Sequence, residues 1–308
     1  MSTDAPPPAG RLQQLGALRF TGADSSSFLQ GQLSNDTRSL AEGRGLFAAY
    51  SSPQGRVLAL LHLLPHSSGI VAVLPRELVA PTLQGLRKFI LRAKVKIEDA
   101  SDLAVAGQYG VHALAAAGIG APEADLGYLE HHEIGVAAVN RDPGRYWVIG
   151  SPAILAAHAL TGDPAQADQI ERGWRLADIR AGLPQIYLAT RESFVAQMLN
   201  LDLLNAISFT KGCYTGQEII ARTQHLGRIK RRLYRLQLPA GDWSVGQSLR
   251  LNDGRAGRLT EVVRHGGSVE ALAVLNQASR AEAAESGDDV SVAGAPVAAL
   301  QLPLPYEL

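Results

Sequence analysis

Apolar and polar positions divide the chain into a long mixed region and a shorter all-strand one. Ala17–Phe20 reads as a strand, and Gly22-Ala-Asp24 turns the chain into a helix starting near Ser25. That helix carries Phe28 and Leu29 inward, with Leu33 a turn later. Leu46–Tyr50, Arg56–Leu64 and Ile70–Leu74 come next as antiparallel strands, parted by Ser-Pro-Gln-Gly (52–55) and His-Ser-Ser-Gly (66–69). Val79, Leu83, Leu86 and Ile90 recur at helical spacing, and Pro81 is expected to confine regular helix to the residues after it.

A second half begins near residue 100. Leu103–Gly107 suits a strand, Val111–Ala117 a helix, and Val136–Asn140 with Tyr146–Ile149 a strand pair. Pro152–Leu160 is a helix capped by Ser151. A longer helix from about Ala167 to Ala181 sets Ile170, Trp174, Ala177 and Ala181 on one face, and Gly182 with Pro184 ends it. From Ile229 the period changes to two. Tyr234, Leu236 and Leu238 alternate with Arg235 and Gln237, and short strands occupy Ser248–Leu251, Arg258–Arg264 and Val269–Leu275. Asn-Asp-Gly (252–254) and His-Gly-Gly (265–267) read as turns, and the Ala/Glu-rich 278–289 as a solvated loop or short helix. The reading is α+β: disordered residues 1–10, two lobes over 11–235 divided near 100, and a small β-barrel over 236–308.

Composition narrows the function. A 308-residue chain with 46% hydrophobic residues buries a substantial core, and 29 cations balance 29 anions. No global basic field therefore suggests direct nucleic-acid binding. A single cysteine excludes an intrachain disulfide and any CxxC motif, which fits a reducing compartment. MSTDAPPPAG lacks the basic start and apolar run of a signal peptide, and the apolar Val57–Leu74 is interrupted by His62, Pro65, His66 and Gly69. A cytoplasmic protein without membrane contact is expected. GxGxxG, Walker A and GxSxG patterns do not occur. His131-His132-Glu133 is not read as a metal site, because adjacent strand residues point to opposite faces.

Candidate chemistry concentrates at 211–222, KGCYTGQEIIAR, which holds the only cysteine. Thr215-Gly-Gln-Glu218 has the form of a capping box ahead of a short helix, placing Cys213 two residues upstream of a helix N-terminus. Lys211 and Gly212 adjoin it, and each feature favours thiolate over thiol. Spacing alone leaves a second reading open, in which Cys213 is a small buried hydrophobe. Arg222, Arg228, Lys230, Arg231, Arg232 and Arg235 form a basic run with no acid between Glu218 and Asp242. It is either a solvated face or a reader of carboxylates or phosphate.

KGCYTGQE resembles the signature of the YgfZ family, folate-binding proteins related to the T-protein (aminomethyltransferase) of the glycine cleavage system. The flanks LNLDLLNAISF (199–209) and ARTQHLGRIKRRLY (221–234) agree, as do the segments at 20–24 and 28–32 and the closing LPLPYEL. The resemblance implies a two-lobed T-protein-like folate-binding region followed by a C-terminal β-barrel, with tetrahydrofolate, in some forms polyglutamylated, as cofactor. It makes Trp174 a candidate to stack on the pterin, with core packing the other reading, Arg228 a candidate for the glutamate tail, and Tyr214, Gln217 and Glu218 further folate contacts. The family's other folate-contacting aromatic has no equivalent, because Leu15 or Ala17 falls there.

The resemblance also implies the activity: an accessory protein for assembly or repair of iron–sulfur clusters in client enzymes, including those that thiomethylate tRNA. Cys213 is then the working thiolate, with Lys211 beside it, and meets an iron–sulfur cluster only transiently. The alternative is a folate-dependent aminomethyltransferase. T-proteins supply a carboxylate from the strand matching residues 55–61, and here no Asp or Glu occurs from Gly43 through Arg76. A third reading, a cysteine hydrolase, needs a histidine base, and His225 is the nearest in sequence.

Overall fold

The computed structural model describes residues 8–139, 144–225, 229–250, 256–277, 290–292, 295–297 and 299–308. Residues 1–7, Arg228, the turn at 252–254 and the segment 278–289 lie outside these, as does the side chain of His225. Three antiparallel sheets make up the fold. The first runs Leu46–Ser51, Val57–His66, Gly69–Pro75, Leu15–Thr21, Lys96–Asp99 in spatial order. The second runs Gly10–Arg11, Ala104–Tyr109, Arg145–Gly150, Ile134–Ala138, Tyr128–His131. Crossing from one to the other takes place after Asp99, but the N-terminal Gly10–Arg11 also joins the second sheet, against Gly107 and Ala106.

The third sheet has seven strands and gathers Arg231–Pro239, Ser248–Arg250, Ala256–His265, Ser268–Asn276, Val290–Val292, Ala295–Val297 and Leu300–Leu302. Strand spacing alone suggests a small barrel, and among the described residues this sheet is open. Alternation explains how it serves two cores at once. Leu233, Val263, Leu272 and Val274 face the main core, while Tyr234, Leu236, Leu238 and Leu259 form a separate one on the far side.

The main core is continuous across all three sheets. Phe20, Phe47 and Leu61 from the first meet Val105 and Trp147 from the second, Leu233 from the third, and Trp174 from the helix Ala167–Ala181. Behind the second sheet, Ala106, Val136 and Val148 pack with Leu114 and Leu155 of the helices His112–Ala116 and Pro152–Ala157. Ser151 caps the latter through the Ile154 amide. Gly182 ends the Ala167–Ala181 helix at φ +67, and the Tyr306 hydroxyl donates to its carbonyl at 2.7 Å. A side chain at Gly182 would strike that ring.

Pro81 behaves differently from its sequence expectation. The helix Arg76–Arg87 runs straight through it. A proline inside a helix costs about 3 kcal/mol. Leu78 and Val79 before it and Thr82 and Leu86 after it are all buried, and that burial holds the helix on course.

Candidate functional site

Residues 211–216 form an irregular turn ahead of the helix Gln217–His225. Lys211 is its anchor. The side chain is buried, and its ammonium donates to the carbonyls of Gln30, Leu33 and Asn35 at 2.6, 2.8 and 2.9 Å. Burial draws this amine down to about 8, whereas three carbonyl acceptors favour its charged form. Its ammonium also lies 4.9 Å from the Tyr214 ring centroid, and Tyr214 is itself buried with its hydroxyl pushed up to about 12. The sequence pattern sets Lys211 beside the thiol as a charge. In the fold its three donors are engaged by the Gln30–Asn35 segment.

The capping box does not form. The helix starts at Gln217, so Cys213 lies four residues upstream of it. Thr215 is turned toward the end of the helix Ser25–Gln30 instead: its amide donates to the Gly31 carbonyl at 3.2 Å and its hydroxyl lies 3.4 Å from Gln32 Oε1. Gln217 closes the turn by accepting from the Tyr214 amide at 3.2 Å. Gly216, at φ +81, lies so close to the 52–55 turn that a Cβ there would come within 2.6 Å of the Ser52 carbonyl oxygen. Docking of the turn against those two segments overrides the local box geometry.

Cys213 is a free thiol and is exposed, which removes the packing alternative. Glu218 is exposed too, and Gln217 is half-buried. The basic run separates into two kinds of residue. Arg232 is buried and holds Asp202 with both Nη atoms at 2.6 and 2.8 Å, and Arg235 holds Glu270 at 2.6 Å. These two stabilise the fold, whereas Arg231 and Lys230 remain exposed.

Trp174 belongs to a second place, a run of buried rings between the sheets. Its indole is tilted against Tyr109 and Trp147, with centroids 5.6 and 6.5 Å away. Trp147 meets the edge of His62 at 4.3 Å, and His62 stacks on Phe47 at 4.2 Å. One face of Trp174 is covered by the Arg145 guanidinium, 4.5 Å from the ring centroid and paired with Asp178 at 2.8 Å. The other side is reached only because residue 107 is glycine, since a Cβ there would lie 2.3 Å from Trp174 Cε3.

Three ring nitrogens in this cluster, His62 Nδ1, Trp147 Nε1 and Trp174 Nε1, have no hydrogen-bond partner among the described residues. Burying an unmatched polar atom costs about 1–3 kcal/mol, so these three nitrogens concentrate that cost in one packed part of the core. Burial, helped by the Arg145 charge, lowers His62 to about 3 and keeps its imidazole neutral. His62, Arg145 and Trp147 are the residues that sequence reasoning missed. The available signal was a lone polar ring within the apolar run 57–64.

His131 ends a strand and His132 lies in a turn at φ +47. Among the described residues no three metal-ligating side chains come together. No described helix is long and apolar enough to cross a membrane.

No protein-family model matches the chain. It is 33% identical over 276 residues to a tRNA-modifying protein YgfZ of Sodalis glossinidius, covering 86% of this chain and 84% of that one. A protein of the same name from Yersinia pestis is 31% identical over 314 residues, covering 94% and 89%. The fold is similar to glycine cleavage system aminomethyltransferase T from Bartonella henselae, with a TM-score of 0.72 over 97% of this chain and 86% of that one. At 15% identity that likeness concerns the fold alone. With the thiol-bearing turn in place and relatives matched over most of their length, the chain belongs to the YgfZ family.

Proposed function

We propose that this protein binds folate and serves as an accessory to enzymes that modify tRNA, supporting assembly or repair of their iron–sulfur clusters through the Cys213 thiolate. The observation that carries this reading is the exposed thiol on a turn anchored by Lys211. An exposed sulfur on a fixed backbone suits transient contact with iron or thiol exchange with a partner. One thiolate cannot hold a cluster alone, so the remaining ligands come from a client, a second copy or a small thiol. The relatives' name points to tRNA modification. The balance of 29 cations against 29 anions and the exposed thiol favour a role through client proteins rather than on the RNA itself.

The T-protein-like fold supports folate binding, and the ring cluster offers polar edges toward it. A pterin carries donors and acceptors on its rim, which match the unpaired nitrogens of His62, Trp147 and Trp174. Arg145 already covers one face of Trp174, so that indole would offer its edge rather than an open stacking face. Residues 11–235 then act as a two-lobed folate-binding region, residues 236–308 as a barrel-type domain, and Arg228 as a reader of the glutamate tail. The setting is cytoplasmic.

The second reading, aminomethyl transfer, is disfavoured by one strand. T-proteins bring a carboxylate on the segment matching 55–61, and here Val57 through Leu61 are apolar and buried. No side chain there could take or steady a proton.

Two measurements test the proposal. Cys213→Ser should fold and bind tetrahydrofolate like the parent yet fail to restore iron–sulfur enzyme activity in cells lacking the protein; full restoration would remove Cys213 from the function. Tetrahydrofolate should quench fluorescence of the parent, and Trp174→Phe should lose part of that quench. A quench carried by Trp243 alone would place folate elsewhere.

A further inference from the structure

A small cavity of 280 Å³ lies where the first two sheets join. Arg11 and Arg76 line it together with Gln13, Leu15 and Val105, and no acidic residue does. Arg11 ends the short N-terminal strand opposite Ala106, and Arg76 opens the helix Arg76–Arg87, with its amide donating to the Gln14 carbonyl at 2.7 Å. The Arg76 side chain lies across the backbone of Gly16: a Cβ there would sit 3.2 Å from Nε and 3.3 Å from Cζ. Arg11 and Arg76 are both exposed, so the cleft they line is open to solvent.

Other arginines in the fold close on acids, as Arg145, Arg175, Arg232 and Arg235 do. Arg11 and Arg76 form no ion pair among the described residues. Glu77, beside Arg76 in the chain, and Glu171, which meets the Gln13–Gln14 turn, are engaged otherwise. Glu77 accepts from the Leu188 amide at 2.7 Å, and Glu171 accepts from the amides of Gln13 and Gln14. Both acids line a neighbouring, larger cavity. Two exposed cations thus line one polar cleft that has no acidic residue in its lining, and an anion seated between them would meet both charges. The guanidinium fork matches the paired oxygens of a phosphate or carboxylate. The cavity has room for such a group with several waters, each occupying about 30 Å³.

We infer that this cavity is an oxyanion site, in which Arg11 and Arg76 together hold a phosphate or carboxylate group. The inference does not depend on folate binding or on Cys213. Calorimetric titration of the full chain at low ionic strength with inorganic phosphate, and separately with glutarate, tests it. At least one should bind at millimolar concentration or below. Arg11→Gln and Arg76→Gln should each weaken that binding about tenfold or more, as loss of a charged hydrogen-bond pair does. Arg76→Lys, which keeps charge but not the fork, should fall between. Arg92→Gln, exposed outside the cavity, should leave binding unchanged. Phosphate binding without glutarate would assign a phosphoryl ligand, and the reverse a carboxylate; either supports the site. Binding of neither anion, or binding that persists in a folded Arg11→Gln/Arg76→Gln double variant, overturns it.

Discussion

Around Lys211 the polar atoms are matched: an ammonium meets three carbonyls, the Thr215 amide meets Gly31, and Gln217 meets Tyr214. Around Trp174 they are not, and three ring nitrogens sit in the core without partners among the described residues. The first region presents an exposed thiol on a turn tied by hydrogen bonds to the segment 30–35. The second keeps its unmet groups inside, between sheets that come from distant parts of the chain. A surface turn gains order from matched polar atoms, whereas a packed core that leaves polar atoms unmatched carries their cost. The two regions show those cases separated within one fold.

Titration should separate them first and most strongly. His62 is neutral in the native state until the pH falls to about 3, while an unfolded histidine takes up its proton near pH 6.5. Between those values the unfolded chain binds more protons, so stability falls as the pH drops. The loss is on the order of 5 kcal/mol over the window, at about 1.36 kcal/mol per pH unit. Denaturant melts of the parent and of His62→Phe across this range check it, and the variant should show a flatter curve. If the two curves run parallel, the ring cluster is not the acid-sensitive region.

The anchor comes next. Lys211→Met removes the donor to three carbonyls, one of them buried, and should lower stability by about 2–4 kcal/mol. Urea midpoints measure this, with an unchanged m-value showing that the rest of the fold stays compact. The same variant should leave the acid limb from His62 intact, which would confirm that the regions are energetically separate. The smallest effect belongs to the exposed thiol. Cys213→Ser should change stability by less than about 0.5 kcal/mol, because the thiol is exposed. A larger loss would mean that the sulfur supports the turn.

Much of the fold was readable from residue pattern. The three strands of residues 46–75 announced themselves through apolar runs broken by the Ser-Pro-Gln-Gly and His-Ser-Ser-Gly turns, and Gly182 marked its helix end because glycine enters the left-handed region without the penalty other residues incur. KGCYTGQE showed that a helix follows Cys213, but the helix begins at Gln217, two residues later than the capping-box pattern placed it. The failures came through long-range packing. Pro81 is carried by burial on both sides of it, and Thr215 forgoes its local cap because Gly31 and Gln32 reach it first. The pairing of Lys211 with residues 30–35 leaves no periodic trace, since its partners are backbone carbonyls that any sequence would supply. His62 looked like a break in an apolar run because alternation cannot say which ring will stand opposite.

The Lys211 contacts also set an order of events. They join positions separated by 181 residues, 178 and 176 along the chain, so no local segment can form them early. During synthesis the Gln30–Asn35 carbonyls and most of the first two sheets are complete before Lys211 leaves the ribosome. The lysine meets acceptors already gathered, and loop closure over such a span adds only slowly to the entropic barrier. Until that moment Cys213 rides on an untethered chain, and afterwards it stands at a fixed address. A nascent chain stalled before residue 211 should therefore hold the acceptor carbonyls open, giving the turn a landing place that exists before the turn does.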